Sequence, residues 1–407
     1  MKIGIVGLGQ RIGYLTQVIA AQIPNVEFVG YVDPDPAGLD AMLGKGVYGI
    51  NAEEAGFIQL DPGKTYGSLP EMLDACELDL LMIGSPNHMH LEHIRIALEA
   101  GVKTFTEKPV VTDEAQTFEL LELMSKYGGT DRLMIGLVLR YAPLYRDLIK
   151  ARDEGLLGDI ASIEASEHIM PYHGAFFMRD WRRHSKYSGG FMLEKCCHDL
   201  DLYQGLIGSR PIRVASFGGN RSFIPKNAPA NTGSNDNMVY HVKGSGWNGS
   251  DKVFDGDGDI IDYQTAIIEY ADGESLCFHT NLNVPDEFRR FCVIGSKGMA
   301  EGDFVRNFFK VTDARSATRL VDKSYISDNA ASAHYGADEQ MITDIFAHMQ
   351  DGVELPVSIL DGLEAGLTAI KLDEARNSRS VIDLTDMWQR FDSYGLRKTK
   401  LIDGEAV

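Results

Sequence analysis

The amino-acid sequence predicts an α/β domain on a doubly wound parallel sheet, followed by an α+β domain with a large, mainly antiparallel open sheet. Three observations carry this. Residues 1–137 alternate short β-branched runs with helical periodicity, and repeated βα units imply parallel strands with right-handed crossovers. After Leu139-Arg140-Tyr141-Ala142-Pro143 strands arrive in succession, the pattern of an antiparallel sheet. At 407 residues the chain is long enough for a large core and two domains, placed here at 1–139 and 140–407.

In the first domain the strand-like runs are 2–7, 26–32, 80–84, 103–106 and 133–136. Leu80-Leu81-Met82-Ile83 is continuously apolar, as a strand buried on both faces should be. Helical stretches at 12–22, 69–75, 89–100 and 113–127 lie between them. In the second domain a helix at 144–154 precedes strands at 160–167, 212–218, 260–270, 274–282, 289–295 and 308–312. Helical patterns return at 191–207, 336–350 and 358–377; the last is amphipathic and is expected to pack back on the first domain. The stretch 224–258, rich in Gly, Asn, Ser and Asp, reads as a long loop of the kind that is functional or mobile.

Hydrophobic content of 44% with 24% charged residues is ordinary for a soluble globular protein. A formal charge of −20 repels phosphate backbones and anionic lipid, so neither nucleic acid nor a membrane surface is an expected partner. No apolar run reaches the roughly 20 residues that span a bilayer. The chain opens on a strand-like segment without a basic leader. Cys76, Cys196, Cys197, Cys277 and Cys292 show no CxxC spacing, so a reduced cytoplasmic protein without a metal site is expected.

Gly7-Leu8-Gly9-Gln10-Arg11-Ile12-Gly13 follows a strand and opens a helix, the context that makes a glycine-rich turn a dinucleotide fingerprint. Gly7 permits the tight turn, Gly9 admits the pyrophosphate, and the N–H groups of Gln10, Arg11 and Ile12 meet the phosphates at the positive end of the helix. The usual third glycine falls at Ile12, and Gly13 comes one residue late. Either the packing accepts a side chain there or the turn is one residue longer. Asp33 closes the second strand, where a carboxylate suits both ribose hydroxyls and repels a 2′-phosphate. NAD is therefore expected over NADP, with Arg11 as the residue that would admit NADP. The bland reading is a generic βα turn with Asp33 starting the turn Asp33-Pro34-Asp35.

Further motifs follow in order: Ser85-Pro86-Asn87-His88-x-His90, Glu107-Lys108-Pro109, and Ser188-Gly189-Gly190 leading to Glu194-x3-His198-Asp199-x-Asp201. With Gly7-x-Gly9, the set resembles the glucose-fructose oxidoreductase / inositol dehydrogenase / rhizopine catabolism (Gfo/Idh/MocA) family over residues 1–376. The resemblance implies a Rossmann domain plus an α+β domain whose open sheet makes a homodimer or homotetramer. It implies NAD(P)-dependent hydride transfer at a hydroxyl of a sugar, cyclitol or related polyol. Carried over residue by residue, Lys108 matches the lysine beside the nicotinamide and the reacting oxygen. His198 matches the histidine that shuttles the substrate proton. Ser85, Pro86 and Asn87 match the loop lining the nicotinamide, and His90 and Glu107 join this cofactor-binding set. Glu194 stands where the family commonly has aspartate, and Lys195 beside it is a further departure. Glu194 is thus a candidate for catalysis or for substrate binding.

The residue types fit the chemistry without the family. Oxidising a carbinol needs a base near neutrality, and histidine titrates near 6.5. It also needs a preorganised positive group, which the Lys108 ammonium supplies. Pro109 would hold that lysine, and a cis Lys108-Pro109 bond is one way to do so. If the segment is helical, the spacing of Glu194 and His198 puts both on one face. The bland alternative for His198 is a satisfied core or helix-surface histidine.

Tyr172, His173, Arg179 and Trp181 form a polar, aromatic cluster suited to a polyhydroxylated ring. His334 is a further substrate candidate, and a solvated or interface loop is the competing reading of the cluster. Asp255-Gly256-Asp257-Gly258-Asp259 lacks the glycine and the terminal glutamate of a calcium loop and reads as an acidic turn. Cys196-Cys197 reads as helix packing. Two other functions suit the same sequence: a redox-neutral glycosidase or lyase using NAD transiently, and a non-catalytic cofactor-binding regulator.

Overall fold

The computed structural model describes residues 1–39, 64–230, 238–325 and 334–397. The chain divides into two compact units. Of the described residues, one holds those within 1–142, 334–363 and 394–396; the other holds those within 143–325 and 364–393, with 397. The helix Ile359–Ser378 therefore has its first residues in one unit and the rest in the other.

In the first unit β1 (Lys2–Val6), β2 (Glu27–Val32), β3 (Leu80–Ile83), β4 (Thr104–Thr106) and β5 (Leu133–Ile135) form a parallel sheet ordered β2-β1-β3-β4-β5. A parallel bridge from Tyr31 to Thr65 adds a further position outside β2. Counting Thr65, the order across the sheet becomes 3-2-1-4-5-6, that of a dinucleotide-binding fold. Thr65 lies in no apolar run, so periodicity could not find it. The chain leaves β1 toward β2 on one side and returns as β3 on the other. That reversal opens the crevice at the strand ends where ligands of such sheets bind.

The helices Gln10–Gln22, Leu69–Ala75, His90–Ala100 and Glu114–Tyr127 supply the crossovers. Their ends follow from local chemistry. Asp113 caps Glu114–Tyr127 by accepting the Gln116 N–H, and Gly128 closes it at φ +73°. The helix Ala337–Asp351 also belongs to this unit, burying Met341, Ile342, Ile345 and Phe346.

Among the described residues the second unit holds nine strands: β6 (Ile160–His168), β7 (Pro211–Gly219), β8 (Tyr263–Tyr270), β9 (Ser275–Asn281), β10 (Phe288–Gly295), β11 (Gly298–Asp303), β12 (Phe308–Asp313), β13 (Arg319–Ser324) and β14 (Ile382–Asp383). Their order is β13-β12-β11-β10-β6-β9-β8-β7-β14, with β6–β9 the parallel pair in an otherwise antiparallel sheet. Alternation buries Ile163, Ile268, Leu276, Phe278, Phe291 and Val293 on one face. The other face leaves Phe217, Ile267 and Ile294 at 69%, 54% and 46% exposure.

Two departures from the sequence reading matter for the site. The predicted helix over 191–207 is two helices, Phe191–Glu194 and Cys197–Ile207, parted by a turn at Lys195 and Cys196. The polar, aromatic cluster is not a loop: Pro171–Arg179 is a helix, with Pro171 in its first turn where no N–H is needed. Among the described residues no helix is long and apolar enough to cross a membrane.

Candidate active site

In the first unit the site is made mostly of backbone. Gly7 has φ +81°, and a Cβ there would stand 2.1 Å from the backbone nitrogen of Ser85. Only glycine fits. Gly9 is the N-cap of Gln10–Gln22, and a Cβ added to it would meet nothing within 4 Å. The first turn carries no acid and no capping side chain. The N–H groups of Gln10, Arg11 and Ile12 thus end the helix beside open space, which fits the pyrophosphate of a dinucleotide.

The missing third glycine has a physical answer. Ile12 is fully buried, and a Cβ at Gly84 would lie 2.1 Å from its Cγ1. Packing accepts the Ile12 side chain because Gly84, after β3, has none. Gly13 serves a different approach: a Cβ there would be 2.5 Å from the Gly38 carbonyl oxygen.

Asp33 Oδ2 accepts the Leu8 N–H at 2.7 Å, and Oδ1 accepts that of Asp35 at 2.8 Å. Burial pushes the carboxyl up from its ordinary value against the pull of these two N–H groups. Each oxygen has a second lone pair, so forming the turn and receiving ribose hydroxyls are compatible roles.

Arg11, the residue expected to admit NADP, is held by two carboxylates. Its Nε lies 2.9 Å from Glu107 Oε1 and its Nη2 2.6 Å from Asp338 Oδ1. His334 is drawn into the same group, its Nδ1 lying 2.8 Å from Asp338 Oδ2. This substrate candidate thus lies beside Arg11 in the first unit. Burial would raise the Asp338 carboxyl, but Arg11 and His334 outweigh it and hold it well below the usual range.

Glu107 closes β4, with its N–H donating to Ile83 O at 2.9 Å. Gly136 makes room for its carboxylate, since a Cβ there would be 3.0 Å from Oε2. Lys108 follows, and the Lys108–Pro109 bond is cis. His90 is buried, with Nδ1 2.8 Å from Pro109 O and Nε2 2.8 Å from Ser85 O. It braces the Ser85 loop against the Glu107-Lys108-Pro109 turn, a correction to its expected contact with cofactor. Ser85 Oγ lies 2.9 Å from His93 Nδ1. Burial, then the neighbouring His90, lowers His93 to about 4, so its neutral ring can accept that hydroxyl. Asn87 is buried in the turn Asn87–Met89.

In the second unit the candidates are side chains. A Cβ on Gly174 would fall 1.7 Å from the Leu282 carbonyl oxygen, so glycine lets Pro171–Arg179 lie directly on the chain leaving β9. This helix carries Tyr172 and His173, whose rings stack at 6.1 Å, with His173 on Phe177 at 5.4 Å. Arg179 does not present its fork to a ligand, as expected of a substrate residue. Its donors go to the carbonyls of Ser250, Tyr240 and Lys243 at 3.2, 3.1 and 2.9 Å. Trp181 is buried, with the Arg182 guanidinium 4.2 Å over its ring. Both are corrected from substrate contacts to supports.

Arg182 reaches Glu194 Oε1 at 2.7 Å and Asp180 Oδ1 at 2.8 Å. One oxygen of Glu194 therefore faces an arginine. The turn at Lys195 and Cys196 means that Glu194 and His198 do not share one regular helix. His198 is buried near the start of Cys197–Ile207. Lys195 pairs with Glu167 at 3.0 Å, and Arg289 reaches Glu167 at 3.2 Å and Asp199 at 2.6 Å. Burial would raise Glu167, but Arg289 and Lys195 bring it below its ordinary value.

Lys243, in the 224–258 stretch, escaped the sequence reading. Its Nζ lies 5.5 Å from the centre of the Tyr172 ring and 5.4 Å from that of Phe176. A lone lysine between Val242 and Gly244 carries no signal in sequence. The acidic run nearby is used by the protein. Asp257 receives Arg183 Nε at 2.7 Å, and Asp262 receives the N–H groups of Arg221, Ser222 and Phe223. Among the described residues no group of His, Cys, Asp and Glu is placed to hold a metal.

A doubly wound sheet with a bare helix N-terminus beside Gly9 and an acid closing β2 defines a dinucleotide-binding protein. The sequence matches the model of the oxidoreductase family, NAD-binding Rossmann fold, over residues 1–136, and that of the oxidoreductase family, C-terminal alpha/beta domain, over 149–384. The chain belongs to the Gfo/Idh/MocA oxidoreductase family, and its first domain is the NAD-binding one. It is 22% identical over 352 residues to the putative oxidoreductase YteT of Bacillus subtilis, covering 75% of this chain and 80% of that protein. It is 25% identical over 176 residues to 2,7-anhydro-N-acetylneuraminate hydratase of Escherichia coli, covering 42% of this chain and 44% of that protein. The solved structure of myo-inositol 2-dehydrogenase from Lactobacillus plantarum has a TM-score of 0.68 at 18% identity, over 94% of this chain and 99% of that one. That last likeness is one of fold.

Proposed function

We propose that the protein is an NAD-dependent dehydrogenase, or a reductase in reverse, acting on a CH–OH carbon of a sugar, cyclitol or related polyol. The observation that supports it is Lys108, set at the end of β4 by Glu107 and His90, two strand ends from the Gly7–Gly9 turn. Bound NAD supplies a hydride acceptor. Lys108 stabilises the alkoxide that develops as the substrate C–H bond breaks. His198 takes the hydroxyl proton, leaving a C=O bond on the substrate carbon. Glu194, anchored by Arg182, binds a substrate hydroxyl. The test is a panel of sugars and cyclitols with NAD and with NADP. Accumulating NADH with at least one polyol is the expected result, and none with any polyol would remove the reading.

A second reading is redox-neutral chemistry with transient use of NAD, favoured by the likeness to the hydratase. Product formed without net NADH would establish it over the first. The exposed apolar face carrying Phe217, Ile267 and Ile294 supports a homo-oligomer in which a second copy covers that sheet. The five cysteines are thiols, which suits a reducing, cytoplasmic setting.

A further inference from the structure

Lys243 differs from the cations around it. Arg182 touches Glu194 and Asp180, Lys195 touches Glu167, and Arg289 touches Asp199. Lys243 has no carboxylate within ion-pair distance among the described residues. Its ammonium shares the Phe176 ring with Arg182, whose Cζ is 5.6 Å from the ring centre. Burial first, then Lys195 and Arg182, depresses its pKa to about 8, while Glu287 acts in the opposite direction without touching it.

The position is held in place. Arg179, on the helix that carries Tyr172 and Phe176, donates to the carbonyl of Lys243 itself and to those of Tyr240 and Ser250. Ser250 in turn donates its N–H to Arg179 O at 2.8 Å. A half-buried cation among like charges is unfavourable on its own, and contact with ring faces offsets only part of that. An incoming anion would supply what the fold leaves out.

Resting on the reading of this unit as the substrate end, we infer that Lys243 binds a carboxylate carried by the substrate, making it an acidic sugar or cyclitol rather than a neutral polyol. The chemistry is specific. Tyr172 and Phe176 are half-buried rings beside the ammonium, apolar surface of the kind that suits the C–H groups of a sugar, and a single ammonium matches a single negative charge. Arg182, the fork that would suit a phosphate, already holds two carboxylates.

The test titrates NAD-loaded full-length protein, by calorimetry, with D-glucuronate, D-galacturonate, their neutral parents D-glucose and D-galactose, and D-glucose 6-phosphate. At neutral pH the wild type should bind a uronate about tenfold or more tightly than its neutral parent. Lys243→Met should bring that ratio near one, and Lys243→Arg should keep part of it. The preference should fade as pH rises past about 8, where Lys243 loses its charge. An unchanged cooperative thermal unfolding profile together with unchanged NAD affinity shows that both units of each variant have folded. The inference is overturned if the wild type prefers the neutral sugar, binds no uronate, or prefers the phosphate ester. It is equally overturned if Lys243→Met keeps the ratio. NADH formed from neutral polyols without any acid preference would remove this inference and leave the dehydrogenase reading standing. Acid preference without NADH would do the reverse.

Discussion

The nucleotide end of the first unit is built from backbone, whereas the candidate residues of the second are charged side chains held by one another. Gly7, Gly9 and the N–H groups after them act through what glycine and a helix terminus can do within a few residues. Arg182–Glu194 and Arg289–Asp199 join partners 12 and 90 residues apart. The glycine turn tolerates change without unfolding, because no charge is buried in it. The charged pairs do not, because a buried charge without its partner is far more costly than the pair.

Arg289→Met should have the largest effect on stability. It strands the fully buried Asp199 and leaves Glu167 to Lys195, for a loss of about 3–5 kcal/mol in denaturant unfolding. A loss below ~1 kcal/mol would break the contrast at its strongest point.

The two glycines sharpen it from the other side. Gly7→Ala should lose about 1–3 kcal/mol and NAD binding together, since φ +81° and the Ser85 backbone both oppose a Cβ. Gly9→Ala should leave stability within ~1 kcal/mol of wild type and weaken NAD alone, because its Cβ would occupy space otherwise open. Equal stability losses in both variants would mean that Gly9 is structural.

Asp33→Ser should narrow the preference for NAD over NADP by about tenfold in paired titrations. An unchanged ratio would remove Asp33 as the selector.

A further effect is on pH dependence. His93 in the first unit and His168 in the second are each lowered to about 4, chiefly by burial. Each binds a proton more readily unfolded, where the ordinary value is about 6.5. Their contribution is therefore complete above 6.5 and is lost as pH falls toward 4. Replacing both with Gln should flatten stability through that window, and an unaltered slope would assign the acid loss to other groups.

The parallel sheet was legible because its strands are short continuous apolar runs closed by glycine and acid, and the cofactor turn because its geometry needs glycine at fixed places. Thr65 and β13 were not: one is a single bridge, the other an edge strand of largely charged and exposed residues. At the substrate end, sequence supplies donor types but not whether those donors are already taken. That is why Arg179 and Trp181 read as ligands and turned out to be supports, while Lys243 passed unmarked. The turn at Lys195 and Cys196 was hidden by a helical pattern that continues across it.

Lys108 is where the functional account rests most heavily. The direct test compares Lys108→Ala with wild type in turnover and in NAD dissociation constant, on the same preparations. Turnover should fall by about 10²–10⁴ while NAD affinity changes by less than about threefold, as befits a group that acts on the reacting oxygen. Equal losses in turnover and NAD affinity would make Lys108 a cofactor ligand and contradict the account.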